Sequence, residues 1–196
     1  MSIPTTPTVP TRRARSTIAL ALLLAATACQ GSEPEVEVEP GEVDPTGTEV
    51  AVRIDTTAEA LHAHLQEEDW REAWALWPGL EPFYPGDDPH GMLLTTRVND
   101  AASRGIEAMR AGDADDLPFG AVVVKENFTP DSALAALTVM FKREGYDPEH
   151  NDWFWMKRLP DGTVEAAGRV ESCIECHGRR AADQDYLTSF RSVSGG

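Results

Sequence analysis

The stretch "DWFWMKRLPDGTVEAAGRVESCIECH" (residues 152–177) decides the fold and joins it to a candidate functional motif. Residues 152–159 are rich in aromatic and long apolar side chains, which is typical of a strand. The "PDG" at 160–162 indicates a turn, and residues 163–170 can return as a second strand. The sequence therefore predicts a β-hairpin that leads directly into a short helix carrying two cysteines and a histidine.

The first strand of this hairpin has apolar side chains on both of its faces. Trp153 and Trp155 fall on one face, and Phe154 and Met156 fall on the other, because successive side chains of a strand alternate. We therefore expect this strand to be buried on both sides.

In the rest of the folded region, the predicted helices come mostly first and the predicted strands mostly later. Helices are predicted at residues 56–77, with a break near Asp69, and at residues 99–112; strands are predicted at residues 92–98, 120–128 and 134–144; a last helix is predicted at residues 182–190. Residues 78–91 hold four prolines and three glycines, which indicates a loop. This order predicts one α+β domain, mainly an antiparallel β-sheet with flanking helices.

The motif "CIECH" (residues 173–177) fits C-x-x-C-H, the attachment signature of c-type haem. Two intervening residues let the Cys173 and Cys176 thiols reach the two vinyl groups of one porphyrin. The next residue, His177, then offers its imidazole to the iron as an axial ligand. The pattern predicts one covalently bound haem c per chain, with Cys173 and Cys176 as thioethers.

The same motif could instead be a redox dithiol or part of a zinc site. A redox dithiol usually opens a helix after a strand in a βαβ unit, and the pattern shows none. A zinc site could take its fourth ligand from His90 or His150, but neighbouring Cys and His ligands crowd a tetrahedral ion. The cysteine count favours haem, because Cys173 and Cys176 are the only cysteines in the folded region.

The first 28 residues have the features of an export signal. They contain three arginines and no acidic residue, followed by an apolar stretch at residues 18–28 that is too short to span a bilayer. The small residues before Cys29 resemble a bacterial lipoprotein signal, in which that cysteine is lipidated. The alternative is an ordinary secretory signal that leaves Cys29 as a free thiol, which is a liability in an oxidising compartment.

Charge and composition divide the remaining chain. Residues 29–50 are acidic, rich in proline and without aromatic side chains, so we expect a disordered tether. Residues 51–196 are long enough for one domain. The formal net charge of −16 argues against nucleic acid as a partner and favours a basic redox partner protein.

Several stretches together resemble the cytochrome P-460 family: "DPHGMLLTTRVNDAA" (88–102), "PFGAVVVKENF" (118–128), "LTVMFKREGYDPEHNDWFWMKR" (137–158) and "DGTVEAAGRVESCIECH" (161–177). The resemblance implies a small antiparallel β domain with flanking helices, commonly a homodimer. It also implies one c-type haem held by Cys173, Cys176 and the proximal ligand His177.

The resemblance further implies a division by chemistry on the distal side of the haem, away from the proximal histidine. Members that oxidise hydroxylamine carry a lysine bonded to the porphyrin, whereas the related cytochromes c′-beta lack this bond and bind nitric oxide or carbon monoxide. We look for the cross-linking residue in the helix at 99–112, which contains no lysine, so hydroxylamine oxidation is in doubt. The lysines of the folded region are Lys125, Lys142 and Lys157.

Two further residues are candidates for the distal side. Glu126 could act as a catalytic carboxylate that relays protons, or could be an exposed charge at a strand end. His90 could be a sixth ligand of the iron, or a turn histidine that bonds its own backbone.

Together these observations predict an exported cytochrome, anchored by lipid in the periplasm, on the outer membrane. Its expected partners are a redox protein and a small ligand such as nitric oxide. The alternatives are a six-coordinate electron carrier and a hydroxylamine-oxidising enzyme.

Overall fold

The computed structural model describes residues 54–190. The predictions of a signal peptide at 1–28, of lipidation at Cys29 and of a tether at 29–50 lie outside the described residues. Within the described region, none of the helices is both long and apolar enough to cross a lipid bilayer.

One antiparallel sheet of seven strands forms the centre of the described domain. The strands are β1 (Ala75–Leu76), β2 (Tyr84–Pro85), β3 (Leu93–Val98), β4 (Val122–Phe128), β5 (Leu134–Lys142), β6 (Trp153–Arg158) and β7 (Val164–Gly168). They lie in the order β1-β3-β4-β5-β6-β7, and β2 also pairs with β3. The prediction of an α+β fold around an antiparallel sheet, including the hairpin of β6 and β7, is confirmed.

Four α-helices flank the sheet: α1 (Ala58–Glu67), α2 (Trp70–Ala73), α3 (Asp100–Ala111) and α4 (Glu171–Ala181). The Thr57 hydroxyl accepts a hydrogen bond from the Ala60 N–H and caps α1, and the side-chain oxygen Oδ1 of Asn99 accepts one from the Ala102 N–H and caps α3. Gly112 ends α3 in the left-handed conformation, as its position predicts.

Three local predictions were wrong. The predicted break near Asp69 is confirmed, since this residue is left-handed, but the second helix ends at Ala73 and the chain becomes a strand at Ala75–Leu76, which pairs with β3. The loop at 78–91 contains the short strand β2. The last predicted helix is not continuous over 182–190: residues Ala182–Gln184 form a 3-10 turn, Asp185 and Tyr186 both have positive φ angles, which a right-handed helix does not allow, and the chain is helical again at residues 189–190.

The sheet has a hydrophobic cluster on each face, and β6 contributes to both. Phe154 and Met156 pack in the cluster beneath α1 and α2. Trp153 and Trp155 pack in the cluster shared with α3 and α4. All four side chains are buried, which confirms the prediction that β6 is enclosed on both sides. The second face is the one that supports the C-x-x-C-H motif.

Candidate functional site

Helix α4 presents the motif residues to a cavity. Cys173 and Cys176 lie one turn apart and therefore on the same side of the helix, with His177 directly after them. Ile174, between the cysteines, packs into the core and fixes which side of the helix is turned inward. All three motif side chains line the same cavity.

The cavity has a volume of about 710 Å³, within the range of about 300–1,000 Å³ that is usual for cofactor and ligand sites. One wall is the sheet, through Val123, Met140 and Trp155; the facing walls are α4, the loop that carries His90, and residues 187–189. A flat, largely apolar group with polar edges fits a cavity of this size and lining. The motif cysteines at its wall are the groups that a c-type haem requires.

His177 is held in an orientation that suits a metal ligand. Its ring is buried, and its Nδ1–H donates a hydrogen bond of 2.7 Å to the backbone carbonyl of Tyr186. The lone pair is therefore on Nε2, which is the arrangement that metal-binding histidines adopt. Burial lowers the pKa of His177 to about 4, so the ring is neutral at pH 7. Trp155 packs edge-on against it at 4.7 Å between ring centres.

A buried carboxylate fixes the turn that carries the Tyr186 carbonyl. Asp185 accepts hydrogen bonds from four groups: the Lys142 ammonium, the Asn151 amide, the Trp153 indole and the Leu117 backbone N–H. Burial raises the pKa of Asp185, and the hydrogen bond and charge of Lys142 oppose that rise. This anchor was not predicted, because residues 182–190 were expected to form a helix rather than a turn with a buried carboxylate.

Four cationic side chains line the cavity of this acidic chain: Lys125, Lys157, Arg179 and Arg180. Arg180 lies 3.6 Å from Asp87, and Lys157 lies 2.7 Å from Glu165. These charges suit a ligand with carboxylate groups, as a haem has in its two propionates. The indole N–H groups of Trp77 and Trp155 also lack an acceptor among the described residues.

Lys125 is the cationic residue most enclosed by the cavity wall. It forms no ion pair within 4 Å among the described residues, and burial lowers its pKa to about 8 although the charge of Asp87 raises it. The expectation that a cross-linking residue would lie on the helix at 99–112 was wrong, because no residue of α3 lines the cavity. Alternation along β4 places Lys125 on the same face as Val123, which also borders the cavity.

Glu126 lies on the opposite face of β4 from Lys125. Its carboxylate accepts a hydrogen bond of 2.9 Å from Arg71 and does not line the cavity. This placement lends no support to a catalytic, proton-relaying role for Glu126, which stays a prediction, because the same alternation that turns Lys125 inward turns Glu126 away.

His90 lies in the loop between β2 and β3 and lines the cavity together with His177. The His90 ring does not bond the backbone of its own turn, as one of the two predictions had it. Its Nδ1 instead lies 2.9 Å from the side-chain oxygen of Asn127. Burial lowers the pKa of His90 to about 3, and the charge of Lys125 adds to this effect. Asn127 was not among the candidates from the sequence.

The two alternative uses of the motif are not supported by the surroundings of the cysteines. Burial raises the pKa of the Cys173 thiol, whereas an activated dithiol needs a lowered one. Among residues 54–190 no group of three or more His, Cys, Asp or Glu side chains is arranged to bind a metal ion directly. His150 bonds Asp147 and does not line the cavity.

An antiparallel α+β domain with a C-x-x-C-H helix at a largely apolar cavity is the arrangement expected of a haem cytochrome. Residues 95–189, just under half of the chain, match the family model described as Cytochrome P460. This match supports the cytochrome P460 family for the region, which includes β4 to β7 and the whole motif. No curated protein sequence matches the chain.

Proposed function

We propose that this protein is a c-type cytochrome with one covalently bound haem, which binds small uncharged ligands such as nitric oxide or takes part in nitrogen-oxide redox chemistry. The observation that carries the proposal is that Cys173, Cys176 and His177 all border one cavity of about 710 Å³. From the sequence alone we also propose export, lipidation at Cys29, attachment to the outer membrane on its periplasmic side, a homodimer and a redox partner protein.

Each motif residue has a distinct role in this proposal. Cys173 and Cys176 hold the haem through thioethers, which form when each S–H adds across a vinyl double bond, without net oxidation. His177 is the axial ligand, kept neutral by burial and oriented by the Tyr186 carbonyl. Arg179 and Arg180, which line the cavity, would pair with the carboxylates at the haem edge.

The walls of the cavity support ligand chemistry at the metal. A bound haem supplies an iron that takes small diatomic ligands and exchanges single electrons. Val123, Met140 and Trp155 exclude water from the sheet side, which favours neutral ligands over charged ones.

The ligand-binding prediction is tested on protein matured in cells that attach haem c. The reduced protein should bind carbon monoxide and nitric oxide, one molecule per haem, with a new absorption spectrum for each complex. The control is the same protein in its oxidised form, which should not bind carbon monoxide. A reduced spectrum that neither gas changes would contradict the proposal.

A second candidate function, oxidation of hydroxylamine, is favoured by one observation. Lys125 lies in the cavity wall and has a pKa of about 8. A substantial fraction of its amine is therefore neutral when the pH is close to this pKa. A desolvated neutral amine is a nucleophile that can replace a C–H of a bound porphyrin by a C–N bond, provided that an oxidant such as a peroxide takes up the two electrons released with the two protons. The absence of a lysine from α3 therefore does not remove this candidate.

This second candidate predicts that proteolysis of the mature protein leaves the Lys125 peptide joined to the haem-bearing peptide of α4. The adduct should disappear in Lys125→Arg and persist in Lys157→Arg, because Lys157 also lines the cavity but is paired with Glu165. Two separate peptides from the unmodified chain, measured by mass spectrometry, would exclude the cross-link.

A further inference from the structure

His90 places a second imidazole at the cavity, close to His177. The two ring centres are 6.2 Å apart, and the ring planes meet at 81°. Two imidazoles that share one metal ion have ring centres about 6 Å apart, because each metal–nitrogen bond is about 2 Å long and each ring adds about 1 Å. The separation of His90 and His177 therefore matches that of two histidines on one iron.

Asn127 decides which nitrogen of His90 is available. The Asn127 amide is buried, and its Nδ2 donates to the backbone carbonyls of Lys125 and Ala136 and to the Thr138 hydroxyl. These acceptors fix the amide nitrogen, so the amide oxygen is the atom that faces His90. The oxygen accepts from His90 Nδ1–H at 2.9 Å, which leaves the lone pair on Nε2.

His90 and His177 are thus oriented by the same kind of hydrogen bond. In each ring Nδ1–H donates to a fixed carbonyl oxygen, that of Asn127 for one ring and that of Tyr186 for the other. Neither Nε2 has a hydrogen-bond partner among residues 54–190. A solvent-facing turn histidine needs no such support, whereas a metal-binding histidine commonly has it.

We propose that His90 is the second axial ligand of the haem iron, opposite His177. This inference rests on the proposed haem site and adds the identity of the distal ligand. The iron is then six-coordinate at rest, and an external ligand such as nitric oxide competes with His90 for its position.

The spin state of the oxidised protein tests the inference independently of activity. Mature protein should show low-spin absorption and electron paramagnetic resonance spectra of the bis-imidazole type, without the near-infrared band of a thioether ligand. His90→Ala should convert nearly all of the haem to the high-spin form, and added free imidazole should restore the low-spin spectrum. His150→Ala is the matched control and should leave the spectrum unchanged, because His150 does not line the cavity.

The outcomes separate this inference from the proposed function. A high-spin spectrum of the unaltered protein, a thioether band, or a low-spin His90→Ala variant would overturn the role of His90 while leaving the haem site intact. Mass spectrometry of the 173–177 peptide shows in every sample whether haem is attached. Colourless protein without that added mass would overturn the haem site and, with it, the role of His90. The spectrum of the unaltered protein decides the question even if His90→Ala does not fold.

Discussion

Replacing Cys173 and Cys176 together with alanine will abolish covalent attachment of haem to the chain. Both thiols line the cavity from one side of α4, and the described residues include no other cysteine that could replace them. The measurement is haem staining of the denatured protein on a gel, with the mass of the 173–177 peptide as a second readout. The double variant should show no stain and no added mass, and each single variant should retain one thioether.

Glu175→Ala is the matched control for the cysteine variants. It lies between the two cysteines in the motif, is exposed and pairs only with the exposed Arg179 at 3.6 Å. The control should keep its full haem content. Haem that remained bound to the denatured double variant would contradict the assignment of these two residues as the attachment sites.

Removing the Lys142 ammonium should destabilise the fold more than any other single charge removal among the ion pairs described. Lys142 is 5% exposed and its partner Asp185 is 0% exposed, so Lys142→Met leaves a carboxylate buried without its cation. We expect a loss of about 3–5 kcal/mol in the free energy of unfolding, measured by urea denaturation followed by circular dichroism.

Two further variants test whether the loss of stability comes from the buried, unpaired carboxylate of Asp185. Lys142→Met combined with Asp185→Asn should be less destabilised than Lys142→Met alone, because the neutral amide still accepts hydrogen bonds through its oxygen. Lys157→Met removes the exposed pair with Glu165, 40% and 41% exposed, and should cost less than about 1 kcal/mol. Equal losses for Lys142→Met and Lys157→Met would show that burial of the Lys142 pair has no effect on stability.

The Asp185 anchor also connects stability to the haem site. Asp185 fixes the turn whose next residue supplies the carbonyl that orients His177. Variants of Lys142 and Asp185 should therefore be compared at equal haem content, so that a loosened axial ligand is not mistaken for a change in the core.

Alternation along the strands allowed much of the sheet to be predicted from the sequence. The apolar faces of β6 and the turn at 160–162 specified the hairpin, and the same period placed Lys125 and Glu126 on opposite faces of β4. Which of the two faces borders the cavity could not be read from β4 alone. That choice depends on the face to which α4 packs, and α4 is far from β4 along the chain, so the sequence of β4 could not show whether Lys125 or Glu126 faces the cavity.

The residues that surround the motif were harder to predict for the same reason. His90 and Asn127 are 37 positions apart, and their hydrogen bond forms only because the loop after β2 folds back over β4. Residues 74–77 have local helix propensity, but pairing of Ala75–Leu76 with β3 overrides it. The C-x-x-C-H motif was found from sequence because its chemistry depends on spacing within five residues.

The cluster beneath α1 and α2 has a consequence for the order of biogenesis. It is formed by residues from Ile54 through β6, all of which precede the motif helix in the sequence. If haem is attached as proposed, this half of the domain can therefore assemble before Cys173 and Cys176 react with the porphyrin.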